Sequence, residues 1–240
     1  MKHYLLTVLF AISFCIDNFS QNTIENAFLL AKYEETSVSD TSDLQKKKID
    51  FMGLEISKSA SRYYSFSFMD YRKAIEEQML KTNTIDFKTI SIPKNKRGKD
   101  DIIYKNHFDN QITAFVRLGV SHYTFQENIP KIDWQILNDT MKILNYSCQK
   151  AVCQFRGRKY EAWFTTEINV NEGPWKFSGL PGLILKVSEN KGHFLFECKS
   201  IEKINREILP VDSKSQKISK ETYVKLYKQM MEDPLPFWNT

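Results

Sequence analysis

Residues 147–166 constrain the chain more tightly than any other stretch, because two runs of β-favouring residues flank the sequence Arg156-Gly157-Arg158-Lys159. Glycine supplies the positive φ that a short hairpin loop demands, so this stretch folds back on itself as two antiparallel strands. On the return arm Tyr160, Ala162 and Phe164 alternate with Glu161, Trp163 and Thr165. Such alternation builds a sheet with one apolar face and one mixed face. Residues 183–187 and 193–201 form a further pair around Glu189, Asn190, Lys191 and Gly192. Residues 102–108 and 112–125 form another, with Asp109 and Asn110 supplying the turn chemistry.

Between and around these pairs the pattern is less uniform. Residues 23–33 read equally as a first strand or as a helical stripe through Ile24, Ala27, Phe28 and Ala31. Residues 34–48, rich in Ser, Thr, Asp and Lys, read as a loop. β-favouring chemistry resumes at Phe51, Leu54, Ile56, Tyr63, Tyr64 and Phe66. Phe68, Tyr71, Ile75 and Met79 then fall at helical spacing, which predicts a helix over 68–81 capped by Ser67 with Asp70. Lys94, Lys96, Arg97, Gly98 and Lys99 suggest an exposed basic turn. Asn138 and Asp139 suggest a second turn, ahead of residues 141–146. Ser219 is placed to cap a second helix bearing Tyr223, Leu226, Tyr227 and Met230, with Pro234 ending it. The expected fold is α+β: a curved antiparallel β-sheet with about two helices.

The chain has 240 residues, 42% hydrophobic and 13% aromatic, enough to bury a core in one domain. Its 34 basic residues exceed its 29 acidic ones by only five, and the lysines are interleaved with acids instead of clustered. Nucleic acid is therefore not an expected partner. Lys2 and His3 precede an apolar run over residues 4–16, too short to span a bilayer and followed by polar residues. This is the pattern of a secretory signal peptide over residues 1–20, cut before Gln21, leaving residues 21–240 as a single domain. Cys15 raises lipidation, but Phe14 before it is not the small residue a lipidation site requires. No later stretch is long and apolar enough to predict a membrane span. The expected location is periplasmic or secreted. Cys148, Cys153 and Cys198 remain in the exported chain. Cys148 and Cys153, an odd number of positions apart, face opposite ways in a regular strand. A disulfide from Cys198 to Cys148 or to Cys153 stays open, as do three buried thiols.

The densest punctuation runs from Gly173-Pro174-Trp175-Lys176-Phe177 through Gly179-Leu180-Pro181-Gly182-Leu183-Ile184. Pro fixes φ and Gly reaches backbone regions closed to other residues, so each Gly-Pro or Pro-Gly pair specifies a turn. Trp175, Phe177, Leu180 and Leu183 are the apolar anchors between the turns, expected to close the core or to form a binding surface. Residues 179–184 spell the signature of the GLPGLI family, which this chain resembles. Cys148-Gln149-Lys150-Ala151, Gly157-Arg158, Ala162-Trp163-Phe164-Thr165 and Gly173-Pro174-Trp175-Lys176-Phe177 extend the likeness. The resemblance implies an exported protein of Bacteroidota with no established activity and offers no catalytic residue to carry over. The strand pattern also resembles, more loosely, the lipoprotein carriers, whose half-barrel sheets hold acyl chains.

No catalytic constellation is visible: Gly-x-Ser-x-Gly, His-Glu-x-x-His and Cys-x-x-Cys are all missing. His107, His122 and His193 lie on different candidate strands, without the spacing of a metal site. No cofactor is expected. The leading expectation is a non-enzymatic binding protein of the cell envelope, taking an apolar ligand or an envelope protein through its sheet. A cysteine-dependent hydrolase and an assembly component of an outer-membrane complex are the alternatives.

Overall fold

The computed structural model describes residues 25–38, 43, 45–82, 98–208 and 215–238. The signal-peptide segment 1–20 with Cys15, and residues 93–97 of the basic turn, lie outside the described residues. The described residues build one open, twelve-stranded sheet with two helices, an α+β fold. In chain order the strands are β1 (Asn26–Val38), β2 (Lys47–Ile56), β3 (Ala60–Ser65), β4 (Ile102–Asn106), β5 (Gln111–Leu118) and β6 (Ser121–Asn128). They continue with β7 (Gln135–Ile143), β8 (Tyr146–Phe155), β9 (Arg158–Thr165), β10 (Leu183–Glu189), β11 (Phe194–Glu207) and β12 (Gln216–Lys217). The order across the sheet is β12-β6-β5-β4-β3-β2-β1-β11-β10-β9-β8-β7. Every pairing is antiparallel except the short parallel β12–β6 contact.

The turns follow local chemistry. Arg156 and Gly157, at φ of 50° and 76°, form the two-residue connection of the β8–β9 hairpin. Leu144 and Asn145, at 50° and 69°, do the same between β7 and β8. That second turn replaces the one expected at Asn138-Asp139, where β7 instead runs on through a register irregularity between Ile136 and Thr140. A bulge absorbs the turn-favouring pair without ending the strand. Residues 112–125, read as one strand, are two: Gly119 at φ 62° turns β5 into β6. The stretch 34–48, read as a loop, extends β1 to Val38. Its polar residues are drawn into a ladder because β1 lies inside the sheet, between β2 and β11.

Helix α1 (Phe66–Thr82) starts two residues earlier than its apolar period suggests. The cap is Ser65, not Ser67: the Phe68 amide donates to Ser65 Oγ at 3.2 Å. Helix α2 (Lys220–Glu232) is capped by Ser219, whose Oγ accepts from the Thr222 amide at 3.1 Å. Tyr223 of α2 stacks on Phe125 of β6, with ring centroids 4.8 Å apart.

The sheet is curled. Ile103, Ile112, Ala114, Val116 and Phe125 of β4–β6 share one apolar cluster with Ala162, Phe164, Leu183, Leu185 and Val187 of β9 and β10, across the width of the sheet. The opposite face of β3–β5 carries a separate small cluster of Tyr64, Ile102, Phe115 and Phe68 of α1. The hollow of the curl is filled by the connection between β9 and β10, residues 166–182, so its interior is a packed core. Phe177, fully buried, makes edge contacts with Phe155, Tyr160 and Phe196 at centroid distances of 4.9–5.9 Å. Leu180 and Leu183 are buried beside it. Tyr33 of β1 donates to the Ile184 carbonyl at 2.6 Å, and Trp134 Nε1 to the Ser178 carbonyl at 2.9 Å. At Gly182, φ 154°, a side chain would run into the Thr165 carbonyl, so the loop enters β10 only with glycine there.

The three described cysteines are buried free thiols, and no disulfide joins Cys148 to Cys198. In sheet order β9 and β10 intervene between β8 and β11, so Cys148 and Cys198 are not cross-strand neighbours, and each stays a thiol within the shared apolar cluster.

Candidate binding pocket

The 166–182 connection is pinned by buried charges. Glu172 accepts from Lys105 Nζ of β4 at 2.7 Å and contacts His107 Nε2. Lys105, fully buried, also donates to the Phe177 carbonyl at 3.0 Å. Burial alone would raise the Glu172 carboxyl, but the charge of Lys105 and the bond from His107 hold it at about 2. A second node gathers around Glu127 of β6, which meets Lys176, Arg156 Nη2 at 3.1–3.2 Å and Lys220 Nζ at 2.6 Å. Burial opposes its charge too, yet hydrogen bonds from Lys176 and Lys220 bring it to about 2. This node ties the β8–β9 hairpin, the 166–182 connection and α2 to β6 across the mouth of the curl.

Beside that junction lies a pocket of about 350 Å³, within the usual range for small-ligand sites. Glu35, Met52 and Tyr63 come from the first three strands, and Lys99, Asp101 and Ile103 from the approach to β4 and its start. Arg156, Arg158, Tyr160 and Trp175 close it from the hairpin and the connection, and Phe194 and Phe196 from β11. Met52, Ile103, Tyr160 and Phe196 make an apolar floor, while the charged groups occupy the walls. Lys99 is paired with Glu35, which also accepts from the Tyr63 hydroxyl at 3.0 Å. Asp101 is open to solvent at the pocket, yet its enclosure by the surrounding protein pushes it up to about 6. Arg156 lies over Trp175 at 5.4 Å and Arg158 over Phe194 at 5.3 Å.

The anchors expected from the sequence separate into two groups. Phe177, Leu180 and Leu183 are core, whereas Trp175 is half-buried and lines the pocket. Trp175 is also held at φ 53°, a left-handed conformation that a bulky side chain adopts only where its surroundings over-determine it. Sequence reasoning missed Arg156, Arg158, Glu35 and Asp101. The two arginines read as turn residues, and the two acids sit in stretches that read as loop. Of the histidines, His107 is bonded to Glu172, His193 Nδ1 lies 2.9 Å from Arg158 Nη1, and His122 stacks on Phe115. Burial pushes Cys148 and Cys153 up to about 11 and Cys198 to about 12, leaving all three thiols protonated near neutral pH. Among the described residues no cluster of three or more His, Cys, Asp or Glu is arranged to hold a metal ion. No helix among them is long and apolar enough to cross a membrane.

An open, mainly antiparallel sheet curled around a packed core, with a mixed aromatic and charged pocket at its mouth, defines an α+β domain dominated by strands. Residues 73–228 match the family described as N-glycanase peptide, N-terminal domain, and the chain belongs to that family. Among solved structures it is similar to PNGF-II in the P21 crystal form, at 18% identity and TM-score 0.54. That match covers 83% of this chain and 33% of the other. PNGF-II in the C2 form matches at 17% identity and the same TM-score, over 85% of this chain and 33% of that one. The chain thus spans about a third of the length of those proteins, and the likeness is one of fold. No curated protein matches.

Proposed function

We propose that this chain is an exported, non-catalytic binding protein of the cell envelope, periplasmic or secreted, and that its binding site is the pocket beside Trp175. The observation that carries the reading is Trp175 itself: a large aromatic side chain, held in a strained backbone conformation, half-open to a 350 Å³ pocket instead of packed in the core. Strain of this kind costs about 1–3 kcal/mol and concentrates at ligand clamps. The protonated, buried thiols support the non-catalytic part, since a cysteine nucleophile needs an accessible thiolate. The secretory pattern of residues 1–20 and the GLPGLI resemblance of residues 179–184 support export. Membership in a family of N-glycanase N-terminal domains makes a glycan-bearing protein the first class of partner to consider.

Native mass spectrometry of the protein purified from its own envelope tests this. The expected result is a retained ligand that is lost in Trp175→Ala while the fold persists. A ligand retained equally by the variant would place binding elsewhere. Ester or peptide turnover abolished by replacing Cys148, Cys153 or Cys198, with folding intact, would overturn the non-catalytic reading.

A further inference from the structure

The two walls of the pocket differ in chemistry. The β8–β9 hairpin contributes a pair of guanidinium groups. Arg156 engages Glu127 through Nη2, and Arg158 engages Glu189 and His193 through Nη1. A guanidinium carries five N–H donors, so each arginine keeps donors that no described residue takes up. Their acid partners, Glu127 and Glu189, are not part of the pocket lining. The arginines therefore present positive charge to the pocket while their counter-charges stand behind them. Stacking over Trp175 and Phe194 holds the guanidinium planes in place, which lowers the entropy lost when they bind an anion. The other wall offers the carboxylates of Glu35 and Asp101, with Lys99 beside them.

We infer that the pocket takes an anionic saccharide: a pyranose bearing a carboxylate, held by Arg156 and Arg158, set against the half-open Trp175 side chain, with its hydroxyls donating to Glu35 and Asp101. This inference rests on the reading of the pocket as the binding site and names the ligand class. Each contact has its own reason. Guanidinium groups match a carboxylate bidentately and discriminate it from a neutral group. Carboxylates accept from the hydroxyls that cover a sugar ring. The half-open Trp175 side chain offers apolar contact to the patch that a pyranose presents where its axial hydrogens gather. A purely apolar ligand would desolvate the remaining guanidinium donors of Arg156 and Arg158 and the carboxyl of Asp101 without giving them new partners, which costs binding energy.

The test is a tryptophan-fluorescence titration at fixed ionic strength, using trigalacturonate and 3′-sialyllactose, with maltotriose and lactose as neutral controls. The expected result is saturable binding in which an acidic sugar outcompetes the neutral ones by about tenfold or more. Arg156→Lys and Arg158→Lys keep the charge but lose the planar fork. Together they are expected to reduce that preference by about tenfold, with neutral-sugar binding and a cooperative melt retained to show that the fold persists. Neutral sugars binding equally well, or the double lysine variant retaining the full preference, would overturn the anionic assignment and leave the pocket standing. No saccharide bound, alongside an envelope-derived ligand lost in Trp175→Ala, would overturn the saccharide class alone. No saccharide bound and no ligand dependent on Trp175 would overturn both readings.

Discussion

The Lys105–Glu172 pair offers the sharpest test of how the 166–182 connection is held. Both side chains are buried, with the lysine nitrogen 2.7 Å from one carboxylate oxygen and 3.0 Å from the Phe177 carbonyl. Lys105→Met fills much the same volume but leaves the buried Glu172 carboxylate with His107 alone, and removing one partner of such a pair costs about 3–5 kcal/mol. Glu172→Leu strands the ammonium instead, at a similar cost. If the two act as a unit, Lys105→Met with Glu172→Leu has no unpaired buried charge. What then remains is the Phe177 carbonyl without its donor, worth about 1–3 kcal/mol, and a part-exposed His107 that has lost Glu172 and turns to solvent. The double variant is therefore expected to be less destabilised than either single one, with a coupling energy of about 3 kcal/mol or more. Urea unfolding of the four proteins at neutral pH reads this directly, provided the slopes agree. Single variants costing under about 1 kcal/mol, or a double variant equal to the sum of the singles, would refute the idea that a desolvated ion pair pins the connection.

Glu172 is held at about 2 and its unfolded value is near 4.5, so its contribution of about 3 kcal/mol is present above pH 4.5 and fades as pH falls from about 5 toward 2. The urea midpoint should drop over that window, and Glu172→Gln should flatten the drop; an equal drop in the variant would assign the effect to other carboxylates. Phe177→Ala should cost about 3–5 kcal/mol, as deep aromatic truncations do, whereas Trp175→Ala should cost only about 1–2 because that ring is already half in solvent. Equal losses in melting temperature would show Trp175 to be a core residue after all. N-terminal sequencing of the native protein should find a start near Gln21, and a retained Met1 on a cytoplasmic product would end the export proposal.

What was legible beforehand was local. The β8–β9 hairpin announced itself because Gly157 and the alternation around Ala162 are contained within a few residues. The Ser219 cap was legible for the same reason. Ser67 reads as the cap of α1 because it stands just ahead of the apolar stripe, and only the path of the backbone reveals that Ser65 takes that role. The polar tail of β1 could not be recognised from its composition, since its strand character comes from partners on β2 and β11 that are remote in sequence. The pocket was hidden more deeply. Glu35, Tyr63, Asp101, Arg156, Trp175 and Phe194 have nothing in common along the chain, and each has an ordinary role in its own neighbourhood. Only the curl of the sheet brings them together.

The position of β1 carries a kinetic consequence. The strands β2 to β6 follow one another as a meander, as do β7 to β11, and the two blocks are joined through the pairing of β1 with β11. That seam is knit by contacts such as the one between the side chains of Asn26 and Asn205, 179 residues apart. Each block can pair locally, but the seam must close one of the longest loops the chain permits before it returns any stabilisation. Folding should therefore be slow for the size of the domain, with β1 left waiting beside β2 until β11 arrives. A chain threaded through a membrane from its N-terminus would in that case emerge with its sheet half built, one edge of β1 unpaired until the last third of the sequence is through.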